Sequence, residues 1–158
     1  MKTSFTDMLD FKKIYNQDEF LTDNPKEACL SIITTPREVF ELNPKWVLSK
    51  QVMFEDTDSI IHPRVFSHEL AREVVEFLME VHSSGVESLI VHCFAGVSRS
   101  RAVVMFFEEV LKENPIEDIQ RTPFITANRL VYSRLVNAYR TIIDEQYDAE
   151  RKDSYIFF

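Results

Sequence analysis

Glycine is nearly missing from this chain: 158 residues hold two, Gly85 and Gly96. Cysteine is as scarce, with Cys29 and Cys93 alone, and Trp46 is the single tryptophan. Two cysteines cannot build the disulfide framework of a small secreted domain, so a reducing, cytoplasmic setting is expected. The longest apolar run, Ala102 to Phe107, has six residues, far short of the roughly 20 that span a bilayer. The segment Met1 to Asp7 carries neither a signal-peptide apolar core nor a glycine at position 2 for myristoylation. Positive charge is in deficit, 18 Lys and Arg against 26 Asp and Glu, for a net charge of −8. That balance argues against nucleic acid and membrane surfaces as partners held by bulk attraction. His62, His68 and His82 stand at no ligand spacing to one another or to the cysteines, so neither a metal nor another cofactor is expected.

The apolar share is 45% and the charged share 28%, ordinary for one globular domain of this length. A single α/β domain over residues 1–158 is expected, with its core at about 28–143 and a tail at 144–158. Phe11 to Tyr15 is a candidate edge strand, Asp18 to Leu21 a helical turn, and Asp23-Asn24-Pro25 a loop. Ala28 to Thr34 reads as a buried strand, and Pro36 opens a short helix through about Leu42. Trp46 to Phe54 has the β-rich pattern of a second strand. Ser67 is a candidate N-cap for a helix that faces the core with Leu70, Val74, Phe77 or Leu78, and Val81, and Gly85 suits its C-terminal cap. Ser88 to His92 reads as the central buried strand. A helix from about Ser100 to Lys112 follows, apolar nearly all round and therefore buried. Ile116 to Gln120 reads as a short helix and Thr126 to Ile143 as a long one. The aromatic end, Tyr155 to Phe158, is expected to pack on the domain. Alternating strands and helices predict a mainly parallel sheet of four to five strands flanked by helices.

Chemistry concentrates in Val91-His92-Cys93-Phe94-Ala95-Gly96-Val97-Ser98-Arg99-Ser100. A strand, a tight turn and a buried helix in succession place backbone N–H groups and a helix N-terminus where an anion can sit. Cys93 and Arg99 face that spot. A thiol attacks only as its thiolate, and N–H groups, the helix N-terminus and Arg99 each favour the anion. The same groups suit a phosphate, with the Arg99 fork taking two of its oxygens. Attack by Cys93 on phosphorus then yields a phosphocysteine that water hydrolyses. The mechanism also needs a carboxylic acid for the leaving group. Glu55, Asp56 and Asp58 follow the second strand at the sheet edge where ligands bind in α/β folds. Cys29 lies within an apolar strand and reads as core, with a regulatory disulfide to Cys93 left open.

His92-Cys93-Phe94-Ala95-Gly96-Val97-Ser98-Arg99-Ser100 resembles the active-site signature of cysteine-based protein phosphatases, most closely the dual-specificity branch with its His-Cys-x-x-Gly-x-x-Arg-Ser/Thr pattern. The resemblance implies a protein phosphatase acting on phosphotyrosine, with phosphoserine and phosphothreonine as further substrates. Cys93 is then the nucleophile and Arg99 the phosphate clamp. Ser100 hydrogen-bonds the thiolate, His92 orients the loop, and the N–H groups of Phe94, Ala95, Gly96, Val97, Ser98 and Arg99 cradle the phosphate. The implied general acid is Asp56 first, Asp58 second and Glu55 third. Asn128 resembles an asparagine that many members place near the loop, although this chain has Ala127 where they often have proline. Phe94 and Val97 are apolar where the superfamily's phosphoinositide phosphatases carry lysine. The alternatives are a phosphoresidue-binding module without turnover, a phosphatase of a small phosphomonoester, and another Cys-x5-Arg enzyme such as an arsenate reductase or a sulfurtransferase. Arg121, Arg129 and Arg134 read either as pocket lining or as exposed helix charges.

Overall fold

The computed structural model describes residues 1–23, 25–117 and 122–156. Four strands, β1 (Lys2–Thr6), β2 (Glu27–Ile33), β3 (Leu48–Met53) and β4 (Ser88–His92), form one all-parallel sheet in the order β1-β4-β2-β3. The helices are α1 (Met8–Asp10), α2 (His68–Ser83), α3 (Arg99–Phe106) and α4 (Arg129–Ile156). Wider i→i+5 turns extend α1 through Phe11–Tyr15 and α3 through Phe107–Leu111.

β2 and β4 are the inner strands and read as nearly unbroken apolar runs, as strands covered on both faces should. Their side chains alternate between two cores. Ala28, Leu30 and Ile32 of β2, with Leu89 and Val91 of β4, join the larger core formed with α2, α3 and α4. Cys29 and Ile90, paired in register, turn to the other face and meet Phe11, Leu21 and Trp46. Cys93 belongs to the first core and Cys29 to the second, so a Cys29–Cys93 disulfide is ruled out by the parity of the strands. Burial holds the Cys29 thiol well above its ordinary pKa, which makes it unreactive.

The helices follow their sequence signals. The Ser67 hydroxyl accepts the Leu70 N–H at 3.0 Å and starts α2. Gly85, at φ +80°, follows its C-terminal cap. Phe77 and Leu78 are both buried on the α2 core face, beside Val74 and Val81. In α3, Ala102, Val103, Val104 and Phe106 are all buried, because this helix sits against β1 and β4 on one side and α4 on the other.

Several expectations are corrected. Phe11–Tyr15 is helical, not an edge strand: Phe11 is buried against Trp46 and His92, with the Trp46 ring stacked at 5.8 Å. One of the two edge strands is Lys2–Thr6, outside the expected core of 28–143; it is largely polar because an edge strand has one neighbour and partial exposure. The turn opened by Pro36 ends at Glu38, where Val39 leaves the helical region at ψ 130°; the Glu38 carboxylate caps its start, accepting the N–H groups of Thr34 and Thr35 at 2.8 and 2.7 Å. The last helix starts at Arg129 and continues through Ile156, so residues 144–156 extend it rather than forming a separate tail. Ile116 and Glu117 are not helical, and the rest of that expected helix, with Asn24 and Arg121, lies outside the described residues. So does the packing expected of the aromatic C-terminal end.

Candidate active site

The segment Cys93–Ser98 leaves β4 at its carboxyl end and enters α3 at Arg99. Six consecutive residues turned around one point must send their carbonyls outward if their N–H groups are to face inward, and buried carbonyls need donors. Five of the six carbonyls have an identifiable donor. Cys93 C=O takes a hydrogen bond from His92 Nδ1 at 3.2 Å and Phe94 C=O from the Met8 N–H at 3.1 Å. Gly96 C=O accepts from Arg101 Nε at 2.8 Å, and Val97 C=O from the Thr126 hydroxyl at 2.6 Å. Ser98 C=O accepts from the N–H groups of Asn128 and Ala102, both at 3.1 Å. The loop is therefore splinted from outside by the start of α1, by α3 and by the 122–128 segment. Gly96 is required where it stands. Its φ is +69°, and a Cβ there would lie 2.7 Å from the Asp7 backbone N and the Thr6 carbonyl carbon.

Cys93 lies at the bottom of this loop, 2% exposed. Its Sγ accepts the Gly96 N–H at 3.2 Å and stands 3.2 Å from the Ser100 hydroxyl. Burial pushes the thiol pKa up. The Ser100 hydroxyl, the Ser100 and Gly96 N–H groups and the Arg99 charge outweigh it, so the thiol titrates below its ordinary value.

Arg99 is buried at 4% exposure. Its Nη1 donates to the Thr34 hydroxyl at 2.9 Å and to Phe54 C=O at 2.6 Å, from the carboxyl ends of β2 and β3. The guanidinium lies 5.8 Å from the Phe54 ring centroid. Its Nε is fully buried and has no hydrogen-bond partner among the described residues. A buried donor left unpaired is unfavourable, and an anion on the loop N–H groups is the partner that chemistry calls for.

His92 is fully buried beside Phe11, ring centroids 4.3 Å apart. A carbonyl only accepts, so Nδ1 carries the proton given to Cys93 C=O. Nε2 is then the acceptor for the Ser31 hydroxyl at 2.6 Å, and Ser31 in turn accepts from Gln51 Nε2 at 3.1 Å. Burial first, then the Lys12 and Arg99 charges, pushes the His92 pKa down to about 4 against the raising effects of the Cys93 carbonyl and Asp7. His92 is neutral and bonded at both ring nitrogens.

Of the three acid candidates, Asp56 is brought to the loop. Its Oδ1 accepts from the Ser98 hydroxyl and from Asn128 Nδ2, each at 2.8 Å. Asp58 lines the same open cleft with Thr57, Ser98, Ala127, Asn128 and Arg129. Glu55 is turned back, its carboxylate accepting the Asp56 N–H at 3.2 Å. Asn128 also donates to Thr57 C=O at 3.2 Å, while its Oδ1 caps Val131 N–H at 3.0 Å. The Asn128 side chain thus holds the aspartate. Phe94 and Val97 expose their side chains, and Ala95 is also exposed. Arg129 borders the cleft, whereas Arg134 is structural, donating to Phe66 C=O at 2.7 Å. Sequence reasoning missed Thr34, Ser31, Gln51, Arg101 and Thr126. The only signal for Thr34 was its place at a strand end, and the others carried none.

No family model, no curated protein and no solved structure matches this chain. The geometry carries the functional argument by itself. Among the described residues no group of three or more His, Cys, Asp or Glu side chains could hold a metal ion.

Two pH-dependent outcomes are expected. The Cys93 thiolate is present above a lowered pKa, so alkylation of Cys93 by iodoacetamide should reach its plateau at lower pH than for an unperturbed cysteine. Ser100→Ala should move that inflection upward, and an unmoved inflection would contradict the role given to the hydroxyl. For His92, the folded pKa of about 4 lies below the unfolded 6.5, so the unfolded chain takes up the proton first as pH falls. The contribution of His92 to stability should decline from pH 6.5 towards 4 and level off below it, amounting to up to about 3 kcal/mol. Urea titrations of the wild type and His92→Gln across that range check this, the variant giving the shallower decline.

Proposed function

We propose that this chain is a cysteine-dependent phosphatase that hydrolyses phosphotyrosine in proteins, and phosphoserine or phosphothreonine as further substrates, by way of a phosphocysteine. The observation that carries this reading is a low-pKa thiol at the centre of an N–H cradle, beside a buried arginine whose Nε has no partner among the described residues. Cysteine and arginine so disposed suit a tetrahedral dianion and the trigonal charge that develops as it transfers.

The phosphate oxygens take the loop N–H groups and the Arg99 fork, which sets phosphorus above Cys93 Sγ. The thiolate attacks phosphorus, a P–S bond forms, and the P–O bond to the leaving group breaks. Asp56, protonated at this stage, gives its proton to the departing oxygen. Both hydrogen bonds to Asp56 fall on Oδ1, so the transferable proton sits on Oδ2. Water then attacks the phosphocysteine and yields its proton to the Asp56 carboxylate. The P–S bond breaks, inorganic phosphate leaves, and the Ser100 hydroxyl at 3.2 Å stabilises the returning thiolate. His92, neutral and bonded to a carbonyl, transfers no proton.

Asp56 at the loop supports turnover over the alternative of a phosphoresidue-binding module, which would need no acid there. The same machinery serves a small phosphomonoester. Arsenate reduction draws no support, because Cys29 faces the other core and cannot resolve an intermediate on Cys93. Two free thiols suit a reducing compartment, and the cytoplasm is the proposed location. No helix among the described residues is long and apolar enough to cross a membrane.

Cys93→Ser should reduce hydrolysis of p-nitrophenyl phosphate to background while inorganic phosphate still binds, read by calorimetry. Activity within tenfold of wild type would overturn the thiolate mechanism. Asp56→Asn should lower kcat on a phosphotyrosine peptide by about 100-fold or more and on p-nitrophenyl phosphate by much less, since nitrophenolate needs no proton to leave. Equal losses on both substrates would remove Asp56 from the acid's role.

A further inference from the structure

The phosphate cradle uses the backbone at Phe94, Ala95 and Val97. Their side chains are therefore free of any demand from the phosphate, and what they are depends on what lies above the site. Two of the three are large and apolar and stand in solvent, Phe94 at 64% and Val97 at 39% exposed. The neighbouring segments repeat the pattern. Ile125, 76% exposed, adjoins Thr126, whose hydroxyl is bonded to Val97 C=O. Ile60 and Ile61, 69% and 88% exposed, follow Asp56 on the loop that Ser98 and Asn128 tie to the cradle. Scattered single exposed apolar residues are ordinary. Here five of the 13 exposed large hydrophobic residues among those described fall on three segments that hydrogen-bond to one another at Val97 and Ser98, and an exposed apolar cluster of that kind marks a binding surface.

Charge at the mouth points the same way. The cleft beside Asp56 is bordered by Asp56, Asp58 and Arg129. Within the loop segment, Arg101 is committed to Gly96 C=O at 2.8 Å and Pro123 C=O at 2.6 Å. A second phosphate beside the one in the cradle would meet the Asp58 carboxylate together with Arg129, so the cleft holds no surplus of positive charge to bind it. Cys93 is recessed, so the group bearing the phosphate must pass the apolar rim to reach it.

We infer that the site accepts phosphorylated side chains of polypeptides whose neighbouring residues are apolar, and discriminates against polyanionic headgroups and acidic flanking sequences. The inference rests on the phosphatase reading and adds the substrate class to it. Phe94, Val97 and Ile125 cover flanking side chains on one side of the mouth, and Ile60 with Ile61 cover them on the other. The phosphate supplies the anchor and the rim supplies the selection.

Initial rates on matched phosphotyrosine peptides test this, the two residues on each side being Leu and Val, Ser and Gly, or Glu and Asp. The apolar peptide should exceed the acidic one in kcat/KM by at least about tenfold, the discrimination that one or two buried methylene groups provide. Ile125→Ser and the double variant Ile60→Ser, Ile61→Ser should each shrink that preference while hydrolysis of p-nitrophenyl phosphate stays at the wild-type rate. Vesicles of phosphatidylcholine carrying a phosphoinositide serve as the lipid arm. Faster turnover of the phosphoinositide or of the acidic peptide overturns the inference, as does an apolar preference that survives both sets of variants. Wild-type protein that turns over no aryl phosphate overturns the phosphatase reading itself. Aryl phosphate turnover with no peptide preference overturns the substrate class alone.

Discussion

The site depends on where six carbonyls point. A loop that gathers N–H groups around an anion must turn its C=O groups away from it, and buried carbonyls without donors would be too unfavourable to keep. In Cys93–Ser98 the carbonyls of Cys93, Phe94, Gly96, Val97 and Ser98 are taken by His92, Met8, Arg101, Thr126 and Asn128. These donors come from regions some 120 residues apart in sequence. Their convergence explains features that look unrelated. β1 pairs with β4 so that the chain just past it, at Met8, meets the loop, and the 122–128 segment returns to the loop before α4 begins. Gly96 is the one position where the loop and the Thr6–Asp7 backbone come too close for a side chain.

Charge follows from that geometry. Arg99 is desolvated, and the Thr34 hydroxyl and Phe54 C=O offset part of the penalty through Nη1 alone. Its Nε remains without a partner among the described residues, so an anion in the cradle has a donor waiting whose pairing repays its burial. The thiol is pulled the same way, with two N–H groups, a hydroxyl and the arginine overcoming its own desolvation. His92 could have added a cation at this point and does not. Bound between Ser31 and the Cys93 carbonyl, it serves as a neutral strut, which leaves Arg99 as the buried positive charge that answers the thiolate.

The sequence made the central part of this legible and the periphery invisible, for physical reasons. β2, β4, α2 and α3 carry long apolar runs, sharp periodicity and caps at Ser67 and Gly85, because both faces of the inner strands and most of α3 are buried. Cys93, Gly96, Arg99 and Ser100 were legible because each needs a particular residue type at a particular spacing. β1 was missed because an edge strand with one neighbour tolerates Lys-Thr-Ser-Phe-Thr, whose only strong apolar residue is Phe5. Phe11 to Tyr15 was misassigned because burial at Phe11, against Trp46 and His92, is a tertiary matter. The splinting groups Thr126 and Arg101 and the struts Ser31 and Gln51 act on carbonyls or through other side chains. Such contacts leave no spacing to read.

Asp56 joins the two halves of the site. One of its oxygens is held by Ser98, a cradle residue whose own carbonyl is held by the Asn128 N–H, and by the Asn128 side chain. Asn128 thus fixes the loop through its backbone and the carboxylate through its amide. The position of the Asp56 carboxylate and the shape of the loop are consequently coupled through Asn128 and Ser98. A carboxylate tethered in this way by two 2.8 Å hydrogen bonds is already at the loop before a substrate arrives, so its placement requires no closure of the Asp56–His62 loop. The entropy of positioning is met when the chain folds rather than when the substrate binds. Exposed Ile60 and Ile61 stand only a few residues farther on, on the part of that loop that the two hydrogen bonds to Asp56 leave unconstrained.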